Sequence, residues 1–219
     1  MLGRLRAADR SFRVFGSKLH RYRLGPPLSE GDLLTFEAAN RIRLPDAYRQ
    51  FLSKVGHDGA GPFYGLEPLG TFDHDLSQPF SITAATEDLL LDQLVPGVLQ
   101  LCHHGCEAYS YLIVNGPTYG TIWNGGECGE YFNPTGLTFD VWYRSWMERA
   151  LRTLENERLI PQLKVGMSRA EIVAAVRGDW KTRPALGRPV FYFEAADVPA
   201  QLELDERDIV IKVNPYPFI

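Results

Sequence analysis

Leu44-Pro45-Asp46-Ala47-Tyr48-Arg49-Gln50-Phe51-Leu52-Ser53-Lys54-Val55-Gly56 carries the clearest local signal in this chain. Leu44, Tyr48, Phe51, Leu52 and Val55 recur at intervals of three and four residues, which lays a single apolar stripe along a helix. Pro45 suits the first helical turn, where its missing N–H has no bond to make. Gly56 is expected to close the helix by turning left-handed without steric cost. A stripe of this kind has to be buried, so the neighbouring segments must supply the surface that covers it.

Upstream, Ser29 can accept the free N–H groups of a first turn, and Asp32 stands at the capping-box position, so a helix is predicted from there to near Asn40. Residues 1–25 mix arginines with apolar residues and end at Gly25-Pro26-Pro27, which reads as a flexible start leading into a short strand. Downstream, Gly56-His57-Asp58-Gly59-Ala60-Gly61-Pro62 forms a glycine-rich loop before Phe63-Tyr64-Gly65-Leu66. Residues 67–98 read as an excursion with a short helix around Glu87–Leu94. Val98–His103, Tyr109–Val114 and Thr121–Trp123 follow as strands. Turns at Gly105, at Asn115-Gly116-Pro117 and at Asn124-Gly125-Gly126 separate them, the pattern of an antiparallel meander. Phe139, Trp142, Trp146, Ala150, Leu151 and Leu154 mark a long amphipathic helix, with Asp140 in its first turn. After Pro161, Ser168-Arg169-Ala170-Glu171 is a capping box opening a helix that stops at Gly178. Val190–Glu194, Gln201–Asp205 and Ile209–Val213 alternate as strands, either a small separate module or an extension of the main sheet.

The chain has 219 residues, 45% hydrophobic and 23% charged, with a formal net charge of −4. That composition excludes collagen-like, coiled-coil and wholly disordered chains. The mild net charge conceals a division. Residues 1–25 hold seven Lys and Arg against Asp9 alone, a net of +6, whereas residues 55–143 contain no Lys or Arg and carry −11. A block this acidic argues against a nucleic-acid groove, which needs cations to replace counterions, and it suits a basic partner. Cys102, Cys106 and Cys128 are too few for a secreted disulfide framework. No apolar run of signal-peptide or membrane-span length is present, so a cytoplasmic protein without a membrane segment is expected.

The glycine loop follows a helix, lacks Lys and contains Asp58, which does not fit phosphate binding. Cys102-His103-His104-Gly105-Cys106, with Cys128 downstream, has the width of a zinc-ligand pair. Adjacent strand residues face opposite sides, however, so His103 and His104 cannot both reach one ion without a bulge. No metal and no cofactor is therefore expected. No serine sits in a Gly-x-Ser-x-Gly elbow and no carboxylate spacing marks an acid/base pair.

Several of these segments together resemble the SUKH superfamily, the group of the Smi/Knr-like proteins. Leu44-Pro45-Asp46-Ala47-Tyr48-Arg49-Gln50-Phe51-Leu52 is similar to the family's Leu-Pro-x-x-Tyr-x-x-Phe-Leu helix. Gly59 to Leu66 is similar to its glycine loop, and Leu112-Ile113-Val114-Asn115-Gly116 followed by Gly120-Thr121-Ile122-Trp123 to its strands. The likeness covers about residues 28–155, with His57-Asp58 standing where the family has Asn-Gly. It implies an α+β fold in which helices surround a curved, mainly antiparallel sheet. Residues 1–27 would be a basic arm, 28–157 the SUKH-like domain and 158–219 a small C-terminal helix-plus-strands extension. Leu44, Pro45, Tyr48, Gly61, Gly65, Gly116 and Trp123 would define the fold.

Many bacterial members of this family are immunity proteins that bind and neutralise a toxin, and the family has no shared catalytic residues. The resemblance thus implies a non-enzymatic, cytoplasmic antitoxin occluding the active site of a cognate toxin. Nuclease and nucleic-acid-modifying toxins carry basic clefts that an acidic surface would match. The candidate partner-binding residues are Asp73, Asp75, Glu87, Asp88 and Asp92, with Glu127 and Glu130 on a neighbouring turn. Two alternatives stand beside this reading: a non-catalytic regulatory scaffold, and an enzyme acting through Cys102 or Cys106 with His103 or His104.

Overall fold

Leu44, Tyr48, Phe51 and Leu52 of the apolar stripe are buried, the two rings against aromatic side chains from a helix almost a hundred positions away, whereas Val55, expected on the same stripe, is exposed. In the computed structural model, which describes residues 1–71, 75–87, 95–126, 131–178, 180–185, 190–195, 198 and 200–215, the chain falls into two compact units. One consists of Phe15–Trp146, the other of Met1–Val14 with Met147–Ile219. The fold is α+β, with two antiparallel four-stranded sheets accompanied by helices.

In the 15–146 unit, α1 (Leu2–Ala8) has no part, and the first element is the short α2 (Ser17–His20). Next comes α3 (Glu30–Asn40), where Ser29 and Asp32 form the reciprocal capping box that the sequence predicts. α4 (Asp46–Lys54) begins one residue later than expected, with Pro45 at the N-cap. Its Tyr48 and Phe51 rings meet Phe139 at 4.7 and 5.0 Å, and Phe51 meets Tyr143 at 4.9 Å. Phe139 and Tyr143 belong to the start of α5 (Phe139–Glu157). Each such ring removed from water contributes roughly 1.5–3 kcal/mol, so this cluster anchors the helical layer. Gly56 does not turn left-handed. Its role is close approach: a Cβ there would stand 2.6 Å from the Gly25 carbonyl oxygen.

The sheet of this unit has the order β1 (Val98–Gly105), β2 (Ala108–Ile113), β3 (Thr121–Gly126), β4 (Phe132–Thr138). The first three strands are those read from the sequence. β4 carries no strand signal in the sequence, because Pro134 and Gly136 are poor strand formers that an edge strand tolerates. One sheet face is packed by Phe80, Tyr109, Tyr111, Ile113, Trp123 and Phe132. The Phe80 segment is fixed on this face: its N–H donates to Asn115 O at 2.9 Å, and Thr86 pairs with Phe132. Trp123 is 1% exposed, and Leu44 is fully buried. At Gly116, whose φ is +121°, a Cβ would lie 2.3 Å from the Phe80 carbonyl oxygen. The strand expected before residue 25 reduces to a single bridge, Leu24 to Gly59. The short helix expected at Glu87–Leu94 lies outside the described residues but for Glu87.

The other unit begins with α1, whose Leu5 is fully buried. Asp9, 1% exposed, accepts the N–H groups of Arg13 and Val14 at 2.8 and 3.0 Å. Arg13 pairs with Glu157. Residues 1–14 therefore form a helix and a capped turn where a flexible start was expected. α6 (Arg169–Ala175) opens with the predicted Ser168/Glu171 capping box. The second sheet has the order β5 (Lys181–Pro184), β6 (Phe191–Glu194), β7 (Ala200–Leu204), β8 (Val210–Pro215). Ile172 and Val176 share a buried core with Phe193, Leu202, Leu204 and Val210. The C-terminal strands thus form a sheet of their own, and the alternative of an extended main sheet is excluded.

Candidate protein-binding surface

Of the seven acidic residues singled out, Asp75 and Glu87 are described and both are exposed. They stand at the two ends of the 75–87 segment that carries Phe80. Asp75 is not a free carboxylate. Its Oδ1 accepts the Ser77 N–H at 3.0 Å and the Ser77 hydroxyl at 2.7 Å, and these bonds hold its carboxyl below the usual range. Its carbonyl also accepts the Gly97 N–H at 3.0 Å. Asp75 therefore shapes its turn as well as charging it. Asp73, Asp88, Asp92, Glu127 and Glu130 lie outside the described residues.

A second group of residues assembles where the glycine loop meets β1. Tyr64 N–H donates to His103 O at 3.3 Å and Glu67 N–H to Leu101 O at 2.9 Å, so residues 64–67 cover the outer edge of β1. Phe63 is held at φ +51°, a conformation that costs a non-glycine residue on the order of 1–3 kcal/mol. Its backbone rests directly on Gly16, where a Cβ would fall 1.6 Å from the Phe63 carbonyl oxygen. Gly65, with φ +104°, returns the loop to the strand edge, and Gly61 lies so close to Leu66 that a Cβ would meet its nitrogen at 2.9 Å. The Phe63 ring stacks on His104 at 3.6 Å, and Tyr64 stacks on His103 at 5.4 Å. Phe15 packs against both, at 6.5 and 4.9 Å.

Beneath Phe63 runs a chain of polar side chains. The strand register aligns Cys102, Ser110 and Asn124 across β1, β2 and β3. His104 Nε2 is 2.7 Å from Ser110 Oγ, which donates to Asn124 Oδ1 at 2.9 Å. Since the hydroxyl hydrogen is spent on Asn124, His104 is the donor to Ser110 and carries its proton on Nε2. That polarity is the reverse of a serine activated by a histidine base. Burial lowers His104 to about 4 and pushes the Cys102 thiol up to about 12. Cys102 is fully buried and protonated at neutral pH, whereas Cys106 is exposed in the β1–β2 turn. Among the described residues, no group of three or more His, Cys, Asp or Glu is arranged to hold a metal ion. Among the same residues, no helix is long and apolar enough to cross a membrane.

An open cleft of about 370 Å³ lies between α3 and α4, lined by Leu34, Glu37, Arg43, Asp46, Arg49 and Gln50. Its charges are satisfied internally. Arg49 pairs with Glu30 at 2.8 Å and Glu37 at 3.3 Å, Arg43 with Asp46 at 3.0 Å, and Glu37 also accepts the Leu44 N–H at 2.8 Å. The network secures the entry to α4, and among the described residues each charge lining the cleft has an opposite partner.

Glu67 differs. It is half-buried beside His103, and the loss of water raises its carboxyl above the usual range. Its bonded partner is the Gln100 amide, at 2.9 Å, and among the described residues no Lys or Arg pairs with it. Nothing in the sequence marks Phe63, Tyr64 and Glu67 as a surface except the loop's run of glycines, which forces backbone close to backbone.

Comparison with protein-family models, with curated proteins and with solved structures finds no match to this chain.

Proposed function

We propose that this protein is a cytoplasmic immunity protein of the SUKH type, which binds a cognate toxin domain and blocks its active site. The observation that carries the proposal is the absence of Lys and Arg from residues 55–143 against eleven Asp and Glu. That stretch includes every strand of the first sheet and the exposed residues Asp75, Glu87 and Glu107. Its field attracts a basic surface, and complementary potentials of this kind raise association rates well above the neutral range. The fitting partner is a nuclease or nucleic-acid-modifying toxin, whose substrate cleft must be basic. The likeness of residues 28–155 to the SUKH pattern supports the same reading.

Co-expression with the product of the adjacent gene tests it. Cells making both proteins should survive a toxin that kills cells making it alone; equal killing in both would end the proposal. The association rate of the purified pair should fall steeply as ionic strength rises from about 0.01 M to about 1 M, over which the screening length contracts from ~30 to ~3 Å.

A further inference from the structure

Resting on that reading, we infer that the surface formed by Phe15, Phe63, Tyr64 and His103, with Glu67 and Glu107 at its margins, receives an arginine side chain of the basic protein partner. Four observations converge there. First, aromatic area is left in water: Phe63 is 37% and Tyr64 40% exposed. Second, the loop is built to hold these rings in place, since Phe63 sits in a left-handed conformation locked against Gly16 and stacked on His104. Third, Glu67 is a partly desolvated carboxylate beside His103 with no Lys or Arg paired to it among the described residues. Fourth, Tyr64 lies against the β1–β2 turn, where a Cβ at Gly105 would be 3.4 Å from its ring, and that turn exposes Glu107.

A ring face with a carboxylate at its margin is the environment a guanidinium fills best. The cation lies flat on the aromatic quadrupole while its N–H fork reaches the carboxylate. A lysine ammonium, compact and strongly hydrated, uses such a surface less well. The loop, β1 and β2 supply no competing cation, because residues 55–143 contain none. Lys18, Arg21 and Arg23 are the basic residues of the adjoining segment, Arg23 accepting the Ala60 N–H of the loop on its carbonyl at 2.7 Å, and they set a limit on how far positive charge is welcome on that side.

The test uses the full chain and two probes, an oligoarginine peptide and an oligolysine peptide of equal length. Oligoarginine should shift the ring resonances of Tyr64 and His103, and oligolysine should bind several-fold more weakly. Glu67→Gln, which keeps shape and the Gln100 contact, should weaken oligoarginine binding about 3- to 10-fold, and Tyr64→Ala by a similar factor. If the resonance shifts fall only in residues 75–87, or if Glu67→Gln binds like the parent, the arginine site is refuted. So it is if oligolysine matches oligoarginine. None of these results depends on the toxin, so protection in co-expression with no oligoarginine site would overturn this inference and leave the immunity function standing.

Discussion

The imidazoles of His20 and His104 are both lowered to about 4, principally because burial disfavours their charged form. His20 has a further reason to stay neutral: its Nδ1 accepts the Tyr22 N–H at 3.0 Å, a bond that protonation would destroy. Its Nε2 is buried with no hydrogen-bond partner among the described residues. In the unfolded chain these groups take up protons near 6.5, the ordinary value. The unfolded state therefore binds more protons as the solution is acidified, and stability is lost as pH falls from 6.5 towards 4. Glu67, raised by burial, acts with the opposite sign. The denaturation midpoint should thus drop between about pH 7 and pH 5, where ordinary carboxylates stay ionised. Proton resonances of both imidazoles should still report the neutral form at the lower pH; titration of both near the ordinary value would contradict the packing described. None of this was legible in the sequence. In the sequence His103 and His104 read as candidate metal ligands, and their separation onto different neighbours follows from strand alternation. The link from His104 to Ser110 and Asn124 instead depends on a register containing two irregularities, after Gln100 and after His103.

At the scale of elements, what could be read was what local chemistry decides. Both Ser-x-x-acid boxes form as reciprocal caps, at Ser29 with Asp32 and at Ser168 with Glu171. The apolar stripes of α4 and α5 found each other, and three strands bounded by glycine turns paired in sequence order. The elements that escaped are those made by their surroundings. α1 and α2 have seven and four residues, too short to persist in isolation, and they exist because Leu5, Ser17 and His20 are buried. β5 is Lys-Thr-Arg-Pro, an exposed edge whose composition opposes pairing with anything but β6. Ser29→Ala and Ser168→Ala should each cost about 1 kcal/mol. Hydrogen exchange should register the first in the amides of α3 and the second in those of α6; equal loosening in both helices for either change would show that the caps are not acting locally.

For the whole molecule, the charge division is resolved differently from the way it stood in the sequence. The basic start is shared: Arg4, Arg6, Arg10 and Arg13 belong to one unit, while Lys18, Arg21 and Arg23 belong to the other. The 15–146 unit has 8 basic against 15 acidic residues, a net of −7, and the other has 15 against 12, a net of +3. What the sequence suggested as an arm and a domain is thus an acidic body and a weakly basic one.

The order of the strands has a kinetic consequence. Each sheet runs β1-β2-β3-β4 or β5-β6-β7-β8, so within each sheet every strand after the first pairs with the one synthesised just before it. Neither sheet has to close a long loop before its first contacts form, and each can grow hairpin by hairpin as the chain leaves the ribosome. The terminal unit is the exception, because Met1–Val14 must wait for a partner that begins at Met147. The chain's earliest residues are then among the last to find their places, and the Arg13–Glu157 pair forms only once Glu157 has been made. Pulse-labelled exchange during refolding should find the β1–β3 amides protected before those of Arg13 and Val14, which Asp9 caps; the reverse order would mean that the N-terminal segment organises itself alone.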